Sequence, residues 1–492
     1  MKKFQIDRDR LYLFLIVFLA IFLRIYDLGS ESIWYDEACS IQIASSSTMN
    51  IFLGKAKDLG NPPLHSILLH FWIKFFGKNE VSVRSLSAIF GIFSLILIYK
   101  ICNLLFNEKI SLLSTFIFAI SPLHVYLSQE ARTYTLVTFL CLTSMLFFLK
   151  FIRLKKNIHL MGYIITTFLS IYSHYFAFFI IISQNLFLII YWKEYKDIFY
   201  KWLIGQISVV LLFIIFWGSP FISQITQEGN LQRSATTWYK HILFFPIYYS
   251  VGDTLVWKES TLIELLIFIP FILAAFGIPF IFGTMHLLKN KKLLYFLLLW
   301  LFMPIVIPGI ISLFFSPLYS SRYSIMASLA YYSLIGAGIF YFRTKLRLIF
   351  IFGIVILSAF SLIRYYSLNF KFEWRHAASF IEKNSQPKDI ILFDADMGET
   401  PFSYYYKGTL KKIRLYSPPG KGKKRIIGST VTGKPRQDFT EEVDKSERVW
   451  LALSFNITDG SGDSYENFFI KRYKILKKIE FKGIKIYLFS VK

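Results

Sequence analysis

Cysteine is scarce in this chain, which has three cysteines among 492 residues. Cys39, Cys102 and Cys141 lie far apart, and two of them fall inside apolar runs. This spacing fits neither a disulfide framework nor a cysteine-rich metal site. The sequence also shows no internal repeat and no low-complexity tract.

Charged residues are few as well. They make up 17% of the chain, whereas soluble domains average about 25%. Hydrophobic residues account for 55% and aromatic residues for 19%, a composition typical of a protein that lies in lipid. The formal net charge of +24 does not indicate nucleic-acid binding, because the basic residues form short clusters between apolar runs. Such clusters orient a membrane protein and contact anionic headgroups.

Apolar runs long enough to cross a bilayer recur along the first 364 residues. A hydrocarbon core of roughly 30 Å requires about 20 apolar residues in a helix. We expect about eleven transmembrane helices, near residues 11–26, 84–106, 110–127, 133–152, 160–172, 176–191, 202–217, 262–287, 293–315, 323–342 and 346–363. The fifth and sixth come from one run too long for a single span, which we divide at Ser173-His174. No small-residue cleavage site follows the basic N-terminus, so the first run is interpreted as an uncleaved span.

The distribution of basic residues predicts which side each loop faces. Lys2, Lys3, Arg8 and Arg10 place the N-terminus in the cytoplasm by the positive-inside rule. Alternation then puts the dense Lys/Arg clusters at 150–156, 193–196, 289–292 and 343–347 on that side. The extracytoplasmic side receives residues 27–80, 121–132, 218–260 and 316–322 and everything after residue 364. The prediction is a multi-pass protein of the plasma (inner) membrane.

Residues 365–492 have a different composition and predict a small extracytoplasmic α/β domain after a membrane domain at 1–364. Local periodicity predicts helices over 374–384 and 464–473, strands over 389–393 and 448–453, and a hairpin of 475–481 and 484–491 that turns at Lys482-Gly483. The expected fold class is an all-α polytopic membrane domain plus a small C-terminal α/β domain.

The first outer loop carries the most informative string, Ser32-Ile-Trp-Tyr-Asp-Glu-Ala-Cys-Ser40. Asp36 and Glu37 are adjacent carboxylates flanked by Trp34 and Tyr35, close to the outer end of the first span. Carboxylates near low-dielectric surroundings suit general-base work or metal coordination. The alternative is a solvated acidic loop with aromatic interface anchors, and the string alone does not decide between them.

Further candidates lie at other outer span ends. Pro62-Pro63 fits a helix start, and His65 and His70 are five residues apart, which disfavours joint metal binding. Glu130 and Arg132 lie where the next span enters the membrane. Charges there face a cavity or pair with each other, so a structural ion pair is the alternative. Other polar candidates at outer turns and span ends are His174 and Arg322-Tyr323. Arginine at an outer helix end predicts an anionic partner.

Together these pieces resemble one enzyme family. The strings are Trp34-Tyr-Asp-Glu-Ala38, Asn61-Pro-Pro-Leu64, Arg84, Ser128-Gln-Glu-Ala-Arg-Thr-Tyr134, Ser173-His-Tyr175 and Ser321-Arg-Tyr323. In order and sidedness they resemble the bacterial family-39-like glycosyltransferases of the integral-membrane GT-C superfamily. That superfamily also includes the protein O-mannosyltransferases and the lipid A aminoarabinose transferase. The resemblance covers roughly residues 11–363, and residues 365–492 resemble the variable domain of many members.

The resemblance implies sugar transfer, with inversion, from a polyprenyl-phosphate-sugar donor to an acceptor outside the cytoplasm. Asp36 matches the position of the catalytic base, while Glu37 and Glu130 orient it, shape the acceptor site or bind a metal. For the donor phosphate we expect Arg322, Arg132 and Tyr323. The expected substrate pocket comprises Trp34, Tyr35, Asn61, His65, Tyr134 and His174. No cofactor is required by the pattern; a divalent cation, Mg²⁺ or Mn²⁺, is the open alternative, with Asp36, Glu37 and Glu130 as its ligands.

One departure and two rivals qualify this interpretation. The aminoarabinose branch has a lysine before its Pro-Pro, where this chain has Asn61. Another cation must therefore serve the phosphate, and aminoarabinose is disfavoured as the sugar. A flippase or transporter of lipid-linked sugars would also place charges at span ends, but such proteins show paired repeats and broken mid-membrane helices. An oligosaccharide ligase would use arginine-rich outer loops, whereas these are acidic and aromatic.

Overall fold

A computed structural model describes residues 2–492 apart from 57–60, 229–237, 253–261, 315–318, 369, 395, 416–439 and 455–460. The chain divides into two compact units. The helical unit comprises Met1–Leu28 and Ala44–Leu368. The α/β unit comprises Gly29–Ile43 and Asn369–Lys492, so a segment near the N-terminus is grouped with the C-terminal residues.

The helices up to residue 368 follow the apolar runs of the sequence. In chain order they are α1 (Lys2–Ile25), α2 (Tyr35–Ala44), α3 (Thr48–Phe52), α4 (Leu64–Phe76), α5 (Glu80–Leu105), α6 (Glu108–Ile120), α7 (Pro122–Ser128), α8 (Tyr134–Leu154), α9 (Asn157–Ile171), α10 (Ala177–Ile190), α11 (Trp192–Glu228), α12 (Trp238–Leu243), α13 (Phe245–Val251), α14 (Leu262–Ile272), α15 (Ile278–His286), α16 (Lys291–Phe314), α17 (Ser328–Tyr341) and α18 (Thr344–Ser367). A π-helical segment, Leu273–Gly277, and two 3₁₀ segments, Leu287–Asn290 and Ser321–Ala327, connect neighbouring helices.

Among the described residues, each of the eleven predicted runs lies mainly on helix, and the break at Ser173-His174 separates α9 from α10. By length and apolar composition, six helical segments of the described chain could cross a membrane, or seven when the pair α6–α7, bent by 56°, counts as one. This number is below the predicted eleven for three physical reasons. Helix α1 is not counted, and it carries the charged residues Arg8, Asp9, Arg10 and Arg24. Helices α9 and α10 have 15 and 14 residues, short for a crossing. The stretch Ile267–Phe314 counts once although its 48 residues exceed one bilayer core.

Helices α15 and α17 approach closely because glycine occupies their contact. A Cβ atom added at Gly283 would overlap the Leu334 carbonyl oxygen, and one at Gly338 would overlap the Pro279 carbonyl oxygen. Backbones that meet this closely tolerate no side chain. Small residues at such contacts are a common means of packing helices in membranes, where lipid offers no hydrophobic driving force for association.

We expect Gly283→Ala to lower the melting temperature of the detergent-solubilised protein, since the added methyl group must separate α15 from α17. Gly277→Ala is the matched control six residues earlier, because its Cβ would lie 3.7 Å from the nearest side-chain atom. Both changes improve helix propensity by up to about 1 kcal/mol. Equal melting temperatures for the two variants would contradict the close contact.

A five-stranded sheet forms the centre of the α/β unit, in the order β2-β1-β3-β5-β4. Its strands are β1 (Ile390–Phe393), β2 (Lys411–Arg414), β3 (Arg448–Ser454), β4 (Lys474–Phe481) and β5 (Ile484–Ser490). Strand β1 pairs in parallel with β2 and β3, whereas β5 pairs antiparallel with β3 and β4. The helices of this part are α19 (Trp374–Asn384), α20 (Asp396–Tyr405), α21 (Thr440–Asp444) and α22 (Ser461–Arg472). The predicted fold class is thus confirmed.

Both faces of the sheet are covered by apolar side chains. On one face Trp374 and Phe402 pack with Trp450, and on the other Tyr465 and Phe469 form the corresponding layer. The sequences of β1 and β3 are therefore nearly continuous hydrophobic runs, as expected for strands buried on both faces. Asp389, just before β1, accepts hydrogen bonds from the Arg448 guanidinium at 2.6 and 3.0 Å. This hydrogen-bonded carboxylate raises the pKa of Arg448 and ties β1 to β3.

Candidate active site

The predicted base and its neighbour lie in the first turn of α2, within the α/β unit. Carboxylates are favoured there, because the first N–H groups of a helix point towards them. The Asp36 side chain is half-buried, whereas Glu37 is fully buried. The sequence string at 32–40 therefore forms a helix start rather than an extended acidic loop.

Glu37 is held by a buried ion pair. Its Oε2 atom lies 3.1 Å from the Lys371 ammonium nitrogen, and the two side chains are 0% and 4% exposed. The Trp34 backbone N–H also donates to the same oxygen at 3.4 Å. A carboxylate bound in this way is suited to orienting its surroundings. Glu37 remains a predicted site residue. Of the roles predicted for it, orienting Asp36 is the one that this ion pair favours.

A protein-bound metal centre does not fit the described side chains. In the described part of the chain, no three His, Cys, Asp or Glu side chains are grouped so that they could hold a metal ion. Glu37, one of the predicted ligands, has its carboxylate on Lys371. We therefore derive no step through a metal held by Asp36, Glu37 and Glu130.

The turn between α7 and α8 carries Glu130 and Arg132, in the helical unit. Both side chains are buried. The preceding Gln129 is anchored on two sides, because its amide nitrogen donates to the Tyr26 carbonyl at 2.8 Å and its amide oxygen accepts from the Tyr365 hydroxyl at 2.8 Å. These bonds fix the turn where both predicted charges lie.

Arg322 lies among aromatic rings in the same unit. Its guanidinium carbon is 5.6 Å from the centroid of Tyr323 and 5.8 Å from that of Tyr134. The two tyrosine rings are stacked with centroids 6.1 Å apart, and His174 lies 5.2 Å from Tyr323. Phe176 also packs on Tyr323, with ring centroids 5.3 Å apart. We call Tyr134, His174, Phe176, Arg322 and Tyr323 the Arg322 cluster. Arginine faces aromatic rings favourably and stays charged, so the cluster presents a fixed, half-buried cation.

Backbone contacts join two further predicted residues to this region. The Leu64 N–H donates to the Tyr172 carbonyl at 3.2 Å, which places the segment of Asn61 and His65 beside the turn before His174. The Phe176 N–H donates to His174 Nδ1 at 3.1 Å, so a neutral His174 carries its proton on Nε2. His70 is bonded through both ring nitrogens, to Ala44 and Thr48, as a structural residue would be.

The structure thus assembles two sets of predicted residues, one in each unit. The first consists of Trp34, Tyr35, Asp36 and Glu37; the second is the Arg322 cluster with the neighbouring turns of Asn61, His65, Glu130 and Arg132. Sequence reasoning missed Phe176 and Lys371. Phe176 could have been found from its position two residues after His174. Nothing near Lys371 in the sequence indicates Glu37, which is 334 residues away.

Comparisons with known proteins show what this chain is similar to. Residues 60–217 match the sequence profile of the dolichyl-phosphate-mannose-protein mannosyltransferase family. ArnT from Cupriavidus metallidurans in the apo state has a similar fold, with a TM-score of 0.64, 11% identity, and coverage of 97% of each chain. The same protein bound to undecaprenyl phosphate gives a TM-score of 0.57 at 11% identity, covering 99% of this chain and 98% of that one. The Archaeoglobus fulgidus oligosaccharyltransferase gives 0.52 at 12% identity, covering 80% and 61%. No curated protein sequence matches this chain significantly.

The described chain has several helices long and apolar enough to cross a membrane, and its fold is similar to that of ArnT. The match to the dolichyl-phosphate-mannose-protein mannosyltransferase family covers residues 60–217, which is less than half of the chain, so it is a similarity of that stretch. The resemblance expected from the sequence is confirmed. At 11–12% identity the likeness to the solved structures shows the fold alone.

Proposed function

We propose that the protein transfers one sugar from a polyprenyl-phosphate-sugar donor to an acceptor hydroxyl on the extracytoplasmic side, with inversion at the anomeric carbon. The observation that carries this proposal is the half-buried guanidinium of Arg322 beside two stacked tyrosine rings. It lies in a chain whose fold matches a protein solved with undecaprenyl phosphate. The acceptor class, whether glycolipid, cell-envelope polysaccharide or protein, is left open.

Asp36 is the proposed general base. The acceptor oxygen attacks the anomeric carbon, and its proton passes to the Asp36 carboxylate as the new glycosidic bond forms. The bond from the anomeric carbon to the phosphate oxygen breaks, and polyprenyl phosphate leaves with the electron pair. A hydroxyl has a pKa far above 7, so its attack needs a positioned base. Asp36 is suited to that role because its side chain is partly exposed in the first turn of α2.

Arg322 is the proposed partner of the leaving phosphate. A guanidinium matches phosphate oxygens with two parallel N–H bonds and stabilises charge that develops as the bond breaks. Stacked Tyr134 and Tyr323 restrict the orientation of this fork before the donor arrives. Arg132 is the second proposed cation, with Glu130 beside it in sequence. Arg322 and Arg132 would thus bind the phosphate in place of the lysine that precedes Pro-Pro in the aminoarabinose branch. This chain has Asn61 at that position.

The proposed sugar-binding residues are Trp34, Tyr35, Asn61, His65, Tyr134 and His174. They combine flat aromatic faces with hydrogen-bonding groups. Small-molecule binding sites are typically lined in this way, with a few polar groups that orient the ligand. Asn61 in place of lysine argues against an aminoarabinose donor, because that position then supplies no cation.

Donor class separates this proposal from an oligosaccharide ligase. Purified protein in nanodiscs receives three labelled donors: a polyprenyl monophosphate hexose, a polyprenyl diphosphate oligosaccharide and a nucleotide hexose. We expect transfer from the monophosphate alone, with a product whose anomeric configuration, read by NMR, is opposite to that of the donor. Transfer from the diphosphate oligosaccharide, or retained configuration, would contradict the proposal.

The proposed orientation can be tested by cysteine labelling in intact cells. In a background without Cys39, Cys102 and Cys141, single cysteines are introduced at exposed positions. An impermeant thiol reagent is expected to label Lys78→Cys and Thr409→Cys and to leave Lys155→Cys and Asn290→Cys unlabelled until the cells are lysed. Labelling of Lys155→Cys in intact cells would overturn the assignment of sides.

A further inference from the structure

The segment that carries Asp36 is fastened by a short stretch of chain far away in sequence, within the same compact unit. Residues 370–375, directly after the last long helix, make three kinds of bond to residues 29–37. The Glu31 carboxylate accepts the backbone N–H groups of Phe370 and, at 3.1 Å, of Lys371. Glu31 therefore acts as a side-chain acceptor for two consecutive backbone donors.

Arg375 completes this attachment from the start of α19. Its guanidinium donates to the carbonyl oxygens of Gly29 at 2.9 Å, Ser30 at 3.2 Å and Glu31 at 3.4 Å. Three successive carbonyls on one guanidinium fix the path of the backbone that leads to α2. The Ile33 N–H also donates to the Tyr405 hydroxyl at 2.7 Å. We call Lys371 and Arg375, with these bonds, the clamp.

Lys371 reaches the helix itself. Its ion pair with Glu37 is almost fully buried, and an ion pair so placed is costly to leave half-made. Adjacent residues of an α-helix are about 100° apart around its axis. With Glu37 fixed on Lys371, the rotation of α2 about its axis is restricted, and so is the direction of the Asp36 Cα–Cβ bond. The Asp36 side chain is partly exposed.

We propose that Lys371 and Arg375 are positioning residues that set the direction of the Asp36 carboxylate for proton transfer. This rests on the function proposed for Asp36, and the C-terminal residues thereby become part of the catalytic apparatus. A misplacement of a catalytic group by about 1 Å can cost on the order of 10² in rate. The clamp acts through the position of Asp36.

The test combines two variants with a built-in reporter. Lys371→Met leaves the buried Glu37 carboxylate without its cation, and we expect kcat to fall by roughly 10- to 100-fold at nearly constant donor KM. The double variant Lys371→Met/Glu37→Gln removes both charges, so it is expected to recover at least part of that loss. Cys39 lies on α2 three residues after Asp36 and is partly exposed, while Cys102 and Cys141 are buried. Its rate of maleimide modification should rise in Lys371→Met and return towards that of the parent in the double variant.

Lys485→Met is the matched control. Lys485 forms a 3.1 Å ion pair with Glu466 in the same unit, and neither residue contacts the Asp36 segment through the bonds above. It should leave kcat and Cys39 reactivity unchanged. Should Lys371→Met fail to fold, Arg375→Ala is measured in its place with the same expected directions.

Unchanged kcat and unchanged Cys39 reactivity in the folded Lys371→Met and Arg375→Ala variants would overturn the positioning role. So would a loss of kcat that the double variant does not relieve while Cys39 reactivity stays at the parent level. Failure of the proposed function itself looks different: Asp36→Asn would then be active, whereas Cys39 reactivity would still respond to Lys371→Met.

Discussion

Asp36→Asn is expected to lower kcat for sugar transfer by roughly 10²–10⁴-fold, with little change in donor KM. The amide keeps the shape of the side chain and loses the proton acceptor, so the acceptor hydroxyl must attack without a base. Because Glu37 and Lys371 are untouched, the ion pair that holds α2 remains in place. Initial rates of transfer to acceptor, measured over a range of donor concentrations in nanodiscs, provide kcat and KM separately.

Glu447→Gln is the control for this substitution. Glu447 is an exposed carboxylate of the same unit, and the same chemical change there should leave both constants as in the parent. Near-full activity of Asp36→Asn would contradict its role as base, and the role would then pass to Glu130 or the proposed chemistry would be abandoned.

Arg322→Ala should weaken use of the donor by about 10- to 100-fold, since a hydrogen bond to a charged group contributes roughly 1.5–3 kcal/mol. Arg322→Lys keeps the positive charge but loses the planar fork, so it should still impair transfer. The loss is expected in kcat as well as in donor KM, because charge on the phosphate grows as the bond breaks. Donor titrations of the two variants in nanodiscs measure both constants.

Lys74→Ala is the matched control. Lys74 is a cation 5.7 Å from the Phe71 ring on α4 and has the same type of contact outside the Arg322 cluster. If the Arg322 variants behave like Lys74→Ala and remain folded, Arg322 is an interface anchor and another residue must bind the phosphate.

Local periodicity was enough to predict the long apolar helices, two helices of the C-terminal part and most of the sheet. Apolar runs predicted the helices, and the hairpin turn at Lys482-Gly483 was correct, with Gly483 at a φ of 75°. Strand β2 was missed because its sequence, Lys-Lys-Ile-Arg, is short and charged at the sheet edge. Helix α20 was missed because Pro401 lies inside it. The bend between α6 and α7 falls at Ser121-Pro122, where proline ends one helix and starts the next.

The candidate site was only partly predictable for a different reason. Asp36 and Arg322 were indicated by their position at span ends, because charged residues are rare there and usually functional. Tyr134 was indicated by the motif to which it belongs. The aromatic contacts of Arg322 join residues 134 and 322, and the ion pair of Glu37 spans 334 positions. Pairings over such distances leave no mark in the local pattern of one sequence. Hence nothing in the sequence indicated Lys371, although this residue forms the ion pair with Glu37.

The most direct test of the central claim follows the fate of the donor. Purified protein is reconstituted in vesicles with a polyprenyl-phosphate hexose labelled in both the sugar and the lipid, and an acceptor extract is added. A glycosyltransferase releases one free polyprenyl phosphate for each labelled sugar that appears on acceptor, and we expect this one-to-one ratio. If the intact donor instead moves between leaflets and no free polyprenyl phosphate forms, the protein is a carrier of lipid-linked sugars and the account is wrong.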